Sequence, residues 1–112
     1  MRLSQKQVLF TQYVGLLIGY AADEGYHIAM RECYRTLEQQ MLYVARGASR
    51  TENSRHLDGL AIDFVLYIRG EYQVDVAPYE PLGTYWEGLD SKNVWGGRWK
   101  TVPDGGHFEY TG

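Results

Sequence analysis

Ser54-Arg55-His56-Leu57-Asp58-Gly59-Leu60-Ala61-Ile62-Asp63-Phe64-Val65-Leu66-Tyr67-Ile68-Arg69 is the stretch on which the fold turns. Every even position from Leu60 to Ile68 is apolar: Leu60, Ile62, Phe64, Leu66 and Ile68. That period of two predicts a strand over Leu60–Arg69 with one face in the core. Asp63 falls on the opposite face, beside Ala61 and Val65. On the apolar face an unpaired carboxylate would cost several kcal/mol. On the other face, next to a small alanine, it has room for a partner, and a cation is one. His56 sits in the loop that leads into this strand.

Working outward, Glu71–Val76 is expected to pair back on the strand through a turn at Gly70. Pro78–Leu89 reads as a short helix. Asp90–Gly106, rich in Gly and Trp, reads as a structured loop, and His107–Tyr110 as a short last strand. Upstream, Ser4 is placed to cap a helix running to about Ala22. Phe10, Tyr13, Val14, Leu17, Ile18 and Ala21 draw one stripe down it at three-four spacing. The stripe suits core packing, and it also fits a helix lying on a membrane surface. Asp23-Glu24-Gly25 closes that helix.

Tyr26–Arg35 reads as a strand, with Ile28, Met30 and Tyr34 on one parity and Ala29, Arg31, Cys33 and Arg35 on the other. Thr36 and Gln39 have the spacing of a capping box. The helix behind them is expected to bury Leu37, Met41, Val44 and Ala45 and to stop at Gly47. Ala48–Leu57 is polar and turn-like. Helices early and strands late predict an α+β domain with an antiparallel sheet.

The chain of 112 residues fits one domain, 1–112, with one modest core. Its composition, 45% hydrophobic and 22% charged, is that of a globular chain. A net charge of -3 offers no electrostatic reason for a nucleic-acid partner. The single cysteine, Cys33, excludes an internal disulfide and a cysteine-based metal cluster, and it reads as a small buried side chain. The apolar stretch Tyr13–Ala22 is too short to span a bilayer, and the N-terminus lacks the compact apolar run of a signal peptide. The expectation is therefore a chain that is cytoplasmic when synthesised, without stable membrane insertion.

Three histidines are present: His27, His56 and His107. In the last strand Phe108 and Tyr110 share one parity, and His107 and Glu109 the other. If Phe108 and Tyr110 face the core, His107 faces the same side as Asp63. Two strands then present one ligand each and the loop supplies His56. Such an N, O, N set with an open fourth position has the pattern of a catalytic zinc site. Asp104 lies three residues before His107, across Gly105 and Gly106, where a tight turn places a carboxylate next to the metal as a base. Taken singly, each residue also has a structural reading: His56 as a loop histidine, Asp63 as a paired carboxylate, Asp104 as a turn-former. Glu109 competes as ligand or base. His27 lies outside these motifs and reads as structural.

The pattern Ser-x-His-x-x-Gly-x-Ala-x-Asp at Ser54, His56, Gly59, Ala61 and Asp63 resembles the signature of the zinc D-alanyl-D-alanine carboxypeptidases and L-alanyl-D-glutamate endopeptidases. These are bacterial and phage cell-wall peptidases of the Hedgehog/DD-peptidase fold. Trp95-Gly96-Gly97-Arg98-Trp99 and Asp104-x-x-His107-Phe108-Glu109 resemble the family's C-terminal block, and Tyr34-Arg35-Thr36 its upstream element. The resemblance spans roughly Tyr26 to Tyr110. It implies an antiparallel sheet with helices packed on one side, Zn2+ on His56, Asp63 and His107, and Asp104 as general base. Many relatives have Glu at the base, and endolysin-type members more often Asp, so this chain is more similar to the latter. Arg35 would stabilise the oxyanion. Ser54 would bind substrate or support His56, and Arg50 would bind a substrate carboxylate. Trp95 and Trp99 would wall the cleft or else pack the loop.

The resemblance thus implies cleavage of the peptidoglycan stem peptide between L-alanine and D-glutamate. One alternative is D-alanyl-D-alanine carboxypeptidase or dipeptidase action. A remoter one is a non-catalytic zinc-containing binding module. A monomer acting in the periplasm or cell wall after release through a holin-like pore completes the expectation. At this length a separate cell-wall-binding domain is not expected.

Overall fold

The structure is a computed structural model that describes residues 1–47 and 54–112. At its centre lies the strand that the alternation predicts, β2 (Ala61–Ile68). It pairs antiparallel with β1 (His27–Met30) on one side and with β5 (His107–Tyr110) on the other. β4 (Asn93–Trp95) lies beyond β5, so the order is β1-β2-β5-β4. β3 (Glu71–Tyr72) folds back on the end of β2 through Arg69 and Gly70, whose φ values of 54° and 80° suit a two-residue hairpin turn.

Helices α1 (Leu3–Asp23) and α3 (Glu80–Leu89) supply the apolar cover of the sheet. Phe10, Leu17 and Ala21 of the first and Leu82 and Trp86 of the second join Leu60, Ile62, Phe64, Leu66, Trp95, Phe108 and Tyr110 in the core. Trp86 stands edge-on to Phe10 at 5.8 Å and to Phe108 at 5.9 Å, a geometry that aromatic quadrupoles favour. The stripe on α1 is narrower than expected, because Ile18 stays 40% exposed. Its first turn is closed by the Arg2 N–H donating to Gln5 Oε1 at 2.8 Å, not by Ser4.

Several expectations need correction. The strand expected to reach Arg35 ends at Met30. There the Arg31 N–H donates to Asp63 O and the Asp63 N–H donates to Glu32 O, both at 2.8 Å. Two residues thus stand opposite one, which is a β-bulge, and the simple parity fails beyond it. Cys33, in the segment that follows, is exposed rather than buried. The return strand stops at Tyr72 because the Tyr79 hydroxyl enters the ladder. It accepts from Leu66 N at 3.0 Å and donates to Gln73 O at 2.9 Å. Asp90–Gly106 is not all loop, since it contains β4 and a helical turn at Gly96–Arg98. Three residues are too few for alternation to be visible.

Helix α2 (Leu37–Ala45) also departs from its pattern. Thr36 caps it as expected, accepting from Gln39 N at 3.2 Å, but the Gln39 side chain goes to Tyr43 Oη at 2.9 Å instead of returning to Thr36. Leu37 and Met41 are exposed, as is Ala45, and the fully buried residue is Gln40. Gln40 turns inward because it accepts from a buried arginine, Arg35, at 2.5 Å. Leaving that guanidinium without an acceptor would cost more than exposing two apolar side chains.

Close approach matters most at Gly106. A Cβ there would lie 2.2 Å from Phe64 O, and the Phe64 N–H donates to Gly106 O at 2.8 Å. The glycine lets the chain close on β2 one residue before His107. Gly106→Ala is expected to cost about 1–3 kcal/mol through overpacking. Thermal or urea unfolding reads this directly, and wild-type stability would show that the contact is not as close as described.

Candidate metal centre

Asp63 and His107 are direct cross-strand partners, so register alone puts their side chains on one face of the sheet. His107 Nδ1 lies 3.1 Å from Asp63 Oδ1, and His56 Nε2 lies 3.3 Å from Asp63 Oδ2. One ligand atom from each of the three residues can be chosen so that all lie within 4.8 Å of one another. Both imidazoles are nearly inaccessible, His56 at 2% and His107 at 6% exposure.

Local structure fixes each ring. His56 lies in a turn of helix at Arg55–Asp58, whose N-cap Ser54 accepts the His56 N–H at 3.2 Å. Gly59, at φ 67°, ends that turn. The His56 Nδ1–H donates to Cys33 O at 2.7 Å, which leaves Nε2 facing the Asp63 carboxylate. The Glu109 carboxylate accepts from His107 Nε2 at 2.6 Å, which leaves Nδ1 facing Asp63. Each histidine thus has its outer nitrogen engaged and its inner nitrogen aimed at a shared carboxylate. The N, O, N donors fit a divalent ion such as zinc, and the outer contacts have the form that orients metal-bound imidazoles.

Without a metal, a proton plays the cation's part. Burial opposes the charge on Asp63, but hydrogen bonds from His107 and His56 outweigh it and hold the carboxyl at about 2. Burial likewise opposes the charge on His107, but Asp63 and Glu109 raise it to about 9. Asp104 stands at the exposed rim. Its carboxyl is pushed up, first by the crowding protein around it and then by the negative charge of Asp63. Gly106 N–H donates to Asp104 Oδ1 at 3.2 Å and steadies it. A carboxylate of raised pKa beside the ligand set is suited to taking a proton.

The other expected site residues divide. Arg35 is buried and held. Its Nε donates to Glu32 Oε1 at 2.6 Å and its Nη2 to the same oxygen. Its Nη1 donates to Gln40 and, at 3.5 Å, to Ser54 Oγ, and its guanidinium lies 4.6 Å from the Tyr43 ring centre. Ser54 therefore supports both His56 and Arg35. Arg50 lies outside the described residues. Trp95 does not wall a cleft. It is 1% exposed, and its Nε1–H donates to Gly105 O at 2.7 Å, so it is core. Trp99 is the aromatic beside the site, with its ring 4.8 Å from that of His107. The roles of Glu32, Tyr43 and the Cys33 carbonyl carry no motif of their own and emerge only from the packing.

Residues 47–110 match the family described as D-alanyl-D-alanine carboxypeptidase, more than half of the chain. The chain belongs to this peptidase family. His56, Asp63, His107 and Asp104 all fall inside the match. The chain is also 33% identical over 104 residues to the L-alanyl-D-glutamate peptidase of Listeria phage A118, covering 84% of this chain and 34% of that one. It spans about a third of the length of that relative. Among solved structures, the Serratia marcescens L-Ala D-Glu endopeptidase ChiX superposes with a TM-score of 0.76 at 28% identity, over 91% of this chain and 77% of that one. The vancomycin-resistance D,D-pentapeptidase VanY, solved in complex with Zn(II), superposes with a TM-score of 0.64 at 18% identity, over 94% of this chain and 72% of that one. This last likeness is one of fold.

Two predictions follow from the geometry of this member of the peptidase family. The first concerns pH. Asp63 is lowered from 3.8, so its contribution to stability is present above about pH 4 and is lost as pH falls through about 2. His107 is raised from 6.5, so its contribution is full below about pH 6.5 and is lost as pH rises through about 9. The metal-free protein should therefore lose thermal stability between pH 6.5 and 9, and saturating zinc, if held by these three residues, would replace the proton on Nδ1 and should abolish that alkaline loss. Melting curves with chelator and with zinc across this range decide the matter. The second concerns Glu109. Glu109→Gln should weaken zinc binding by roughly 10–100-fold, as expected for loss of a carboxylate that orients a ligand histidine. Competition with a chromophoric chelator measures it, and unchanged affinity would show that Glu109 does not set the His107 geometry.

Proposed function

We propose that this chain is a zinc peptidase that cleaves the peptidoglycan stem between L-alanine and D-glutamate. The observation that carries the reading is the His56, Asp63 and His107 set with Asp104 beside it. Two relatives with related sequences, from a phage and from Serratia, bear names that specify the L-alanyl-D-glutamate bond. His56 Nε2, an Asp63 oxygen and His107 Nδ1 would hold the ion. Zinc, when bound, would supply Lewis acidity to the scissile carbonyl and to a water.

The protein's own groups account for the remaining chemistry. Asp104 takes the proton of the attacking water at a carboxylate oxygen and passes it to the departing amine. Arg35, fixed by Glu32 and Gln40, supplies a cation close to the centre for the developing oxyanion. Trp99 shields one side of His107 from water. Among the described residues no helix is long and apolar enough to cross a membrane. Action on the cell wall as a single catalytic domain, as a monomer, and after release through a holin-like pore all belong to this proposal.

D-alanyl-D-alanine carboxypeptidase action is the second reading, favoured by the family's description. Digestion of purified peptidoglycan followed by mass spectrometry separates the two. A new amino terminus at D-glutamate is the expected result, and release of free D-alanine alone would replace it with the second reading. Asp104→Asn should keep the zinc and lose about 10²–10⁴-fold in turnover. A variant that keeps full activity would remove Asp104 from the mechanism. A wild-type protein that binds zinc but cuts no stem peptide would mark a binding module.

A further inference from the structure

The β-bulge opposite Asp63 does more than end a strand. Because Arg31 and Glu32 both stand against Asp63, both side chains are brought to the ligand face of the sheet. Glu32 turns to Arg35. Arg31 runs the other way, and its Nη2 donates to Tyr67 Oη at 3.0 Å. Tyr67 has the parity of Asp63 on β2 and lies four residues further on, about 13 Å along the strand at 3.3 Å per residue. The Arg31 guanidinium therefore lies over the ligand face, on the Tyr67 side of the metal centre.

Its electrostatic situation differs from that of Arg35. Arg35 is paired with Glu32 and Arg98 with Glu87, whereas Arg31 has no carboxylate partner among the described residues. It is exposed, and a neutral hydroxyl holds it in place. A guanidinium carries five N–H donors in a planar fork, and one bond to a tyrosine leaves most of them open. Its backbone N–H is bound to Asp63 O, so the residue that carries this fork is tied to the strand that carries the centre. A positioned cation without a carboxylate partner, on the sheet face that carries the metal centre, is a receptor for an anion on the substrate.

The scissile bond of the proposed function specifies such an anion. The glutamyl residue gives its amine to that bond and one carboxyl to the continuing chain. Its other carboxyl stays free, within a few bonds of the scissile nitrogen. We propose that Arg31 binds this free carboxylate and so sets the preference for a glutamyl residue on the leaving side. The assignment rests on the endopeptidase reading above. Tyr67 is a positioning residue that holds the fork over the sheet.

The test uses two synthetic stem peptides, one with D-glutamate and one with its free carboxyl converted to the neutral amide. Wild-type protein should favour the acid by about 10–100-fold in kcat/KM, the scale of a charge-assisted contact. Arg31→Gln should erase that preference through KM on the acid peptide while retaining zinc and the wild-type melting temperature. Arg31→Lys should restore part of it, and Tyr67→Phe should lower it by a smaller factor. An Arg31→Gln protein that keeps the preference, or loses activity equally on both peptides, overturns the assignment. So does a wild-type protein that cuts acid and amide alike, and in that case the endopeptidase reading stands. A wild-type protein that cuts neither peptide overturns the endopeptidase reading and the assignment with it.

Discussion

The Asp63 carboxylate is the group around which the structure is organised. It is largely withdrawn from water, and a lone charge in that position would cost several kcal/mol. It persists because two imidazoles meet it from different directions, His107 by strand register and His56 from the turn before β2. Its backbone is also engaged, donating to Glu32 O and accepting from Arg31 N. One residue thus anchors the centre, the middle of the sheet and the bulge beside it. The same constraint explains why a divalent cation suits the site, since it satisfies both imidazoles and the carboxylate at once.

The two faces of the sheet divide the work. One face is apolar, closed by α1 and α3, and built on Trp86, Trp95, Phe64 and Phe108. The other carries Ala61, Asp63 and Val65 of β2 with His107 and Glu109 of β5. Rigidity passes from the first face to the second through the strands that they share. The Trp86 Nε1–H donates to Glu109 O at 3.1 Å, so the core aromatic fixes the backbone that carries the orienting carboxylate. A site built on strands in this way keeps its geometry better than one built on loops.

Helix α2 shows what the site requires of its surroundings. Its buried residue is polar, and Leu37, Met41 and Leu42 remain exposed. Hydrophobic burial alone would have turned the helix the other way. Arg35 decides the matter, since its guanidinium needs the Gln40 and Glu32 oxygens to stay buried next to the centre. Here the requirements of a charged group outrank those of apolar side chains, and the amphipathic pattern misleads for that reason.

The sequence by itself determined the central strand, because every even position from Leu60 to Ile68 is apolar, although Ile68 at its end stays exposed, and it placed Asp63 and His107 on a common face through parity. It also determined the family, because Ser54, His56, Gly59, Ala61 and Asp63 fall at fixed spacings along one short segment. Contacts between segments distant in the chain were decided by the tertiary structure alone. The bulge at Arg31 and Glu32 depends on the partner strand, and no local pattern announces it. The choice of Nε2 on His56 and Nδ1 on His107 depends on a carbonyl at Cys33 and a carboxylate at Glu109. Trp95 and Trp99 stand four residues apart in one motif, yet one is core and the other borders the site. Spacing constrains which face a side chain takes within one element, whereas its neighbours across the fold are set by how the elements pack.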